Sequence, residues 1–124
     1  MNIALGGTLI QDIPAPVGLF HTHDDSLPND KTHAVHAAAG SWFEEVWGHH
    51  FTVNSHHHQG VDRRGEGLEP LLWSEGGIVE GMLHKSLPIL CVQFHPERMC
   101  CEKSRPDTVN GLPVFEKFLA MCAQ

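Results

Sequence analysis

Basic residues are scarce and nowhere clustered: 8 Lys+Arg stand against 15 Asp+Glu, a formal charge of −7 with histidine neutral. Without a basic patch the chain has no electrostatic footprint for nucleic acid or an anionic membrane, and neither partner is expected. No apolar run approaches the roughly 18 residues that a membrane helix needs. No Lys or Arg precedes Lys31, so the opening lacks the cationic start of a secretory signal. Cys91, Cys100, Cys101 and Cys122 make neither a C-x-x-C pair nor a spaced framework. Free thiols and a reducing, cytoplasmic setting are expected. Internal repeats and low-complexity tracts are also missing. What is there is globular composition, 41% hydrophobic and 19% charged, at a length that allows one domain.

The first ten residues are apolar from Met1 and reach Gly6-Gly7 too soon for a free-standing helix, although Asn2 is a candidate cap. They read as the tail of an element that begins outside the chain. Asp12 to Asp30 carries Pro14, Pro16, Gly18 and Pro28 and predicts a long surface loop. His33 to Ala37 alternates, and Trp42 to Trp47 is an amphipathic turn. Strands are predicted over His50 to Ser55, Leu68 to Ser74 and Ile78 to Leu83, with a hairpin turn at Glu75-Gly76-Gly77. Pro88 to Phe94, the most apolar run, suits a strand covered on both faces in a parallel sheet. Leu112 to Ala123 has helical spacing and predicts a covering helix, with Cys122 in a core-like position.

Chemistry concentrates in Val92-Gln93-Phe94-His95-Pro96-Glu97. His95 falls at the carboxyl end of the most buried strand, where ligands collect in open α/β sheets. Pro96 biases His95 toward extended backbone. A carboxylate two residues on can accept the imidazole Nδ1 proton, fixing the tautomer and stabilising the imidazolium formed when Nε2 takes a proton. That is the base and orienter of a nucleophile–His–acid device; a structural His at a strand end is the alternative.

The VQFHPE string resembles the signature of class I glutamine amidotransferase-like proteins, and most of all the γ-glutamyl-γ-aminobutyrate hydrolase family of cysteine hydrolases. His33-Ala34-Val35 with Gly40-Ser41 is similar to its H-x-V…G-S segment, Val53 to Gln59 to its V-N-S-x-H-H-Q loop, and Gly77 to Glu80 to its D-G-x-I-E-like hairpin. Asn2 to Leu9 resembles the stretch that follows the family's nucleophile elbow. The resemblance implies a three-layer α/β/α fold with a mixed sheet and a closing C-terminal helix. Residues 1–124 would be the C-terminal portion of one such domain. It also implies hydrolysis of a γ-glutamyl amide through a cysteine thiolate, with His95 as base and Glu97 as orienter and no cofactor or metal. Asn54, Ser55, His57, His58 and Gln59 would contact a γ-glutamyl substrate.

Two departures are local: Cys91 stands where the family has Gly, and Glu75-Gly76-Gly77 where its turn has Asp. A third is chemical. The family's nucleophilic cysteine lies in a C-x-G-x-Q turn just upstream of the segment matched at Met1, and this sequence contains no such turn. Cys91 is four strand positions from His95, about 13 Å at about 3.3 Å per residue, too far to substitute. Cys122 reads as a core thiol, and Cys100 and Cys101 as incidental. The chain alone is therefore expected to be inactive, with a complementary N-terminal segment as its partner. A strand meant for burial, left without its neighbours, is expected to loosen or aggregate.

His49, His50 and His56 to His58 also raise a metal hypothesis, with His56 and His58 on one strand face and a third ligand from His21 or His23. No carboxylate or thiol sits at structural-zinc spacing, and pocket lining is favoured. A non-catalytic module that binds a glutamyl compound and a His-rich metal-binding protein are the alternatives.

Overall fold

The computed structural model describes residues 1–14 and 29–123. The order is a 3₁₀ turn (Ile3–Leu5), β1 (Leu9–Ile10), β2 (Lys31–Ala37), α1 (Trp42–Trp47), β3 (His50–Ser55), β4 (Gly60–Val61), β5 (Leu68–Ser74), β6 (Val79–His84), β7 (Leu90–Val92), two further 3₁₀ turns (Pro96–Arg98 and Cys101–Lys103) and α2 (Leu112–Cys122). Five strands form one sheet in the order β3-β2-β5-β6-β7, while β1 and β4 pair separately. The expected α/β class and C-terminal helix are present. Most of the Asp12–Asp30 loop, with His21 and His23, lies outside the described residues.

Local chemistry sets most boundaries. Ser41 caps α1 by accepting the Glu44 N–H at 3.3 Å, and the Glu44 carboxylate accepts the Gly40 N–H at 2.6 Å. In β5, Pro70 has no N–H to give to the ladder, and the register to β6 slips on both sides of Leu72. The β5–β6 turn closes through Gly77 at φ +80°, a left-handed conformation that suits glycine. Asn2 does not cap the first turn. It is a buried strut instead: its Nδ2 donates to the Thr8 and Arg63 carbonyls and its Oδ1 accepts the Gly65 N–H.

The core joins Val35 and Ala37 of β2, Phe43 of α1, Phe51 and Val53 of β3 and Leu72 of β5 with Phe94, Met99 and Val114. Gly81 of β6 lies directly under Phe43, so a Cβ there would come within 2.6 Å of the ring. No helix among the described residues is long and apolar enough to cross a membrane.

Three expectations need correction. The strand predicted over Pro88 to Phe94 shrinks to Leu90–Val92, pairs antiparallel with β6 and is half-buried at the end of the sheet. Its apolar residues do different work: Phe94 leaves the strand and enters the core beside Trp47. Helix α2 covers little. It buries only Val114, while Phe115, Phe118 and Leu119 are exposed, and so is Cys122, which was expected in the core. His56 to His58 lie beyond the end of β3, so His56 and His58 share no strand face.

The sheet curls. Val92 pairs with Gly81 of β6, yet three residues later the His95 backbone is bonded to Asn54 of β3. Three residues reach about 10 Å, whereas four flat strand spacings from β7 to β3 would need about 19 Å. The edges must bend toward each other, which brings the end of β7 to the end of β3. Replacing Gly81 with Ala is expected to destabilise the fold by about 1–3 kcal/mol through overpacking against Phe43, read as a lower urea midpoint with an unchanged slope.

Candidate active site

The site grows from the last residues of β3. Asn54 is fully buried, and its side chain clamps the backbone of His95: Oδ1 accepts the His95 N–H at 2.8 Å and Nδ2 donates to the His95 carbonyl at 3.1 Å. One residue's main chain is thereby held at both polar groups. The Asn54 N–H itself points at the Met99 sulfur, 3.3 Å away, and the Val109 N–H bonds the Thr52 carbonyl at 3.1 Å. The stretch after His95 is therefore laid along the outer edge of β3.

Held this way, the His95 ring turns to Glu97, and Nδ1 lies 2.8 Å from Oε1. A carboxylate only accepts, so Nδ1 carries a proton, and in the neutral ring Nε2 is the nitrogen with the free lone pair. Burial works to raise the Glu97 carboxyl, but its own backbone N–H, His95 and Arg98 together hold it below its usual range. Both rim residues meet solvent: side-chain exposure is 32% for His95 and 53% for Glu97. An aligned imidazole with an ionised partner at a solvent-reached rim can take and return protons.

A second histidine–carboxylate pair sits alongside. His56 Nδ1 is 3.0 Å from Asp30 Oδ1, and the His56 ring meets the His95 ring edge-on at a centroid distance of 5.7 Å. Arg98 joins the two pairs, with Nη1 3.1 Å from Asp30 Oδ1 and Nε 3.6 Å from Glu97 Oε1. Burial favours protonation of Asp30, but hydrogen bonds from Arg98 and His56 outweigh it and depress the carboxyl below the ordinary aspartate range. A cleft of about 820 Å³ opens beyond Arg98, between Asp30, Lys103, Arg105 and Asp107. His95 does not line it.

The remaining expected site residues divide by depth. Ser55 is fully buried, like Asn54, so neither presents its side chain at the surface. His57 turns inward, with Nδ1 2.8 Å from the Gln59 carbonyl and Nε2 3.5 Å from Glu80 Oε1. Only His58, exposed, and Gln59, bonded through Nε2 to Gln11, lie outward. Glu80 has no role in the sequence reading beyond its motif. It is 0% exposed, and the same Oε1 lies 3.1 Å from His33 Nε2, so one buried carboxylate gathers an imidazole from β2 and another from the loop after β3. Pairing is what a charge at that depth requires. Asp30 and Arg98 were also missed; they meet from positions far apart in the chain, and no local pattern announces them. Among the described residues no group of three ligating side chains could hold a metal ion.

Two outcomes follow. Asn54→Ala leaves the His95 N–H and carbonyl without their buried partner and should cost about 1–3 kcal/mol in urea denaturation. Because the folded-state pKa of Asp30 is depressed, its contribution is complete above about pH 4 and is lost as pH falls through the folded value. Asp30→Asn should therefore flatten the loss of stability below about pH 4 while lowering stability at pH 7, as denaturant midpoints across that range would show.

Comparison with known proteins places the chain in a family. The Peptidase C26 family description matches residues 1–97. A Mycobacterium tuberculosis protein named as a candidate glutamine amidotransferase is 36% identical over 100 residues, covering 79% of this chain and 32% of that protein. A Schizosaccharomyces pombe protein of the same naming is 34% identical over 120 residues, covering 96% of this chain and 45% of the relative. The chain thus spans less than half the length of these curated relatives. The crystal structure of a candidate GMP synthase component from Thermoplasma acidophilum superposes with a TM-score of 0.68 at 19% identity, over 98% of this chain and 51% of that one, a likeness of fold. The motifs, the curled α/β fold and the family match agree: the chain belongs to the Peptidase C26 family of class I glutamine amidotransferase-like proteins.

Proposed function

We propose that residues 1–124 are the C-terminal portion of a γ-glutamyl amide hydrolase of the γ-glutamyl-γ-aminobutyrate type, supplying base and orienter to a cysteine carried by sequence outside them. The observation that supports this reading is the 2.8 Å contact of His95 Nδ1 with Glu97. It leaves Nε2 to remove the thiol proton; the thiolate then adds to the γ-glutamyl carbonyl. The same nitrogen, now protonated, gives its proton to the departing amine, and water, deprotonated by His95 in turn, resolves the thioester. Glu97 stays ionised throughout and offsets the imidazolium charge.

In this reading Asn54 acts through the His95 backbone rather than on the substrate. Ser55 and His57 support the loop from beneath, and His58 and Gln59 reach the γ-glutamyl group. The complementary segment lies against the β6–β7 end, where Val79, Met82, Cys91 and Val92 with Met1 and Leu9 line a mostly apolar cleft of about 220 Å³. Burial raises the Cys91 thiol above its usual range, so it is no ready thiolate.

The chain alone should show no turnover of a γ-glutamyl anilide. Mixed with a polypeptide that supplies the C-x-G-x-Q turn it should gain activity, and His95→Asn should then lower kcat by about 10²–10⁴-fold. Activity of the chain by itself, abolished by Cys100→Ala or Cys101→Ala, would overturn the proposal. Measurable binding of a glutamyl compound that the complemented protein never consumes would favour a non-catalytic module.

A further inference from the structure

The turn that follows the His95–Glu97 pair carries two adjacent cysteines. Cys100 is buried and Cys101 exposed, and both are free thiols. Cys101 has φ +54°, the one non-glycine residue at positive φ among those described. A side chain in the left-handed region is held there by its surroundings. Here the 3₁₀ turn does so: the Cys100 carbonyl accepts the Lys103 N–H at 3.0 Å and the Cys101 carbonyl accepts the Ser104 N–H at 3.2 Å. Burial first, and then the neighbouring Cys101 thiol, pushes the Cys100 thiol above its usual range.

We infer that Cys100 and Cys101 form a vicinal dithiol that is reversibly oxidised by hydroperoxides to an intrachain disulfide. One sulfur is open to a small oxidant and the other waits beside it, which is the arrangement of a reacting and a resolving thiol. The exposed Cys101 sulfur attacks a peroxide oxygen; the S–O bond forms, the O–O bond breaks, and hydroxide leaves with the thiol proton as water. Cys100 then attacks the sulfenic sulfur. The S–S bond forms as the S–O bond breaks, and the Cys100 proton departs with hydroxide as a second water. Two thiols lose two electrons and one hydrogen peroxide is reduced.

The spacing predicts that the bond is labile. Neighbouring Cα atoms stand about 3.8 Å apart, short of the about 4.4–6.8 Å that ordinary disulfides span. Closing this small ring strains the backbone, and strained disulfides are the readily reduced, regulatory kind. The site does not depend on the hydrolase reading, since it needs neither His95 nor a substrate.

The test treats the purified chain with hydrogen peroxide, blocks remaining thiols by alkylation and maps peptides by mass. The peptide holding both cysteines should lose the mass of two hydrogen atoms and resist alkylation until a mild reductant is added, while Cys91 and Cys122 stay alkylated. Cys101→Ser, at an exposed position, should abolish the loss, and the double variant Cys91→Ser/Cys122→Ser should retain it in full. Sulfinic acid on Cys101 with Cys100 alkylated, or a bond from either cysteine to another chain, would overturn the inference.

Discussion

Everything at the rim of this sheet hangs on one side-chain amide. Asn54 is sealed in the core, where an unsatisfied amide would be costly, and it is satisfied by the backbone N–H and carbonyl of His95 and by the Asp30 carboxylate, which accepts from Nδ2 at 3.3 Å. The constraint runs both ways. The amide keeps the chain after β7 from wandering, and the chain's return across the end of the curled sheet is what lets the amide be buried. With the main chain of His95 fixed, a carboxylate two residues on has a short reach to Nδ1, and the orientation of the base follows from packing.

Charge around this rim is arranged in layers. Nearest the solvent, Glu97 and Arg98 trade contacts with His95. Behind them Asp30 takes both Arg98 and His56, and deeper still Glu80 gathers His33 and His57. Exposure falls from Glu97, half exposed, to Glu80, wholly enclosed, and the partners change from a guanidinium at the surface to two imidazoles. Histidine here serves carboxylates: Glu97 and Asp30 each take one imidazole, Glu80 takes two, and His56, one of the candidate metal ligands, is engaged by Asp30.

Local features of the fold were legible. His50–Ser55 and Leu68–Ser74 carry strand chemistry between turn signals, and their bounds match the prediction residue for residue. Leu112–Cys122 was legible from its spacing, but spacing does not say what a helix covers, and Phe118 and Leu119 face outward. The run from Pro88 to Phe94 misled because a buried parallel strand and a short edge strand followed by a core Phe look alike as composition. At the site, His95 and Glu97 were legible because their contact spans two residues. Asp30 with Arg98 and His33 with Glu80 are joined only by the folded sheet, and no periodicity in one segment can encode a partner in another.

The contact of Gly81 with the Phe43 ring carries a consequence for descent. A side chain at 81 would press first on the Phe43 ring and next on the Leu72 Cβ, so growth at 81 is relieved by a smaller residue at 43, and a hollow left at 43 is relieved by growth at 81. Among homologues of this chain the two sites should drift in concert, a volume exchange between a strand and a one-and-a-half-turn helix that leaves the packed sum unchanged.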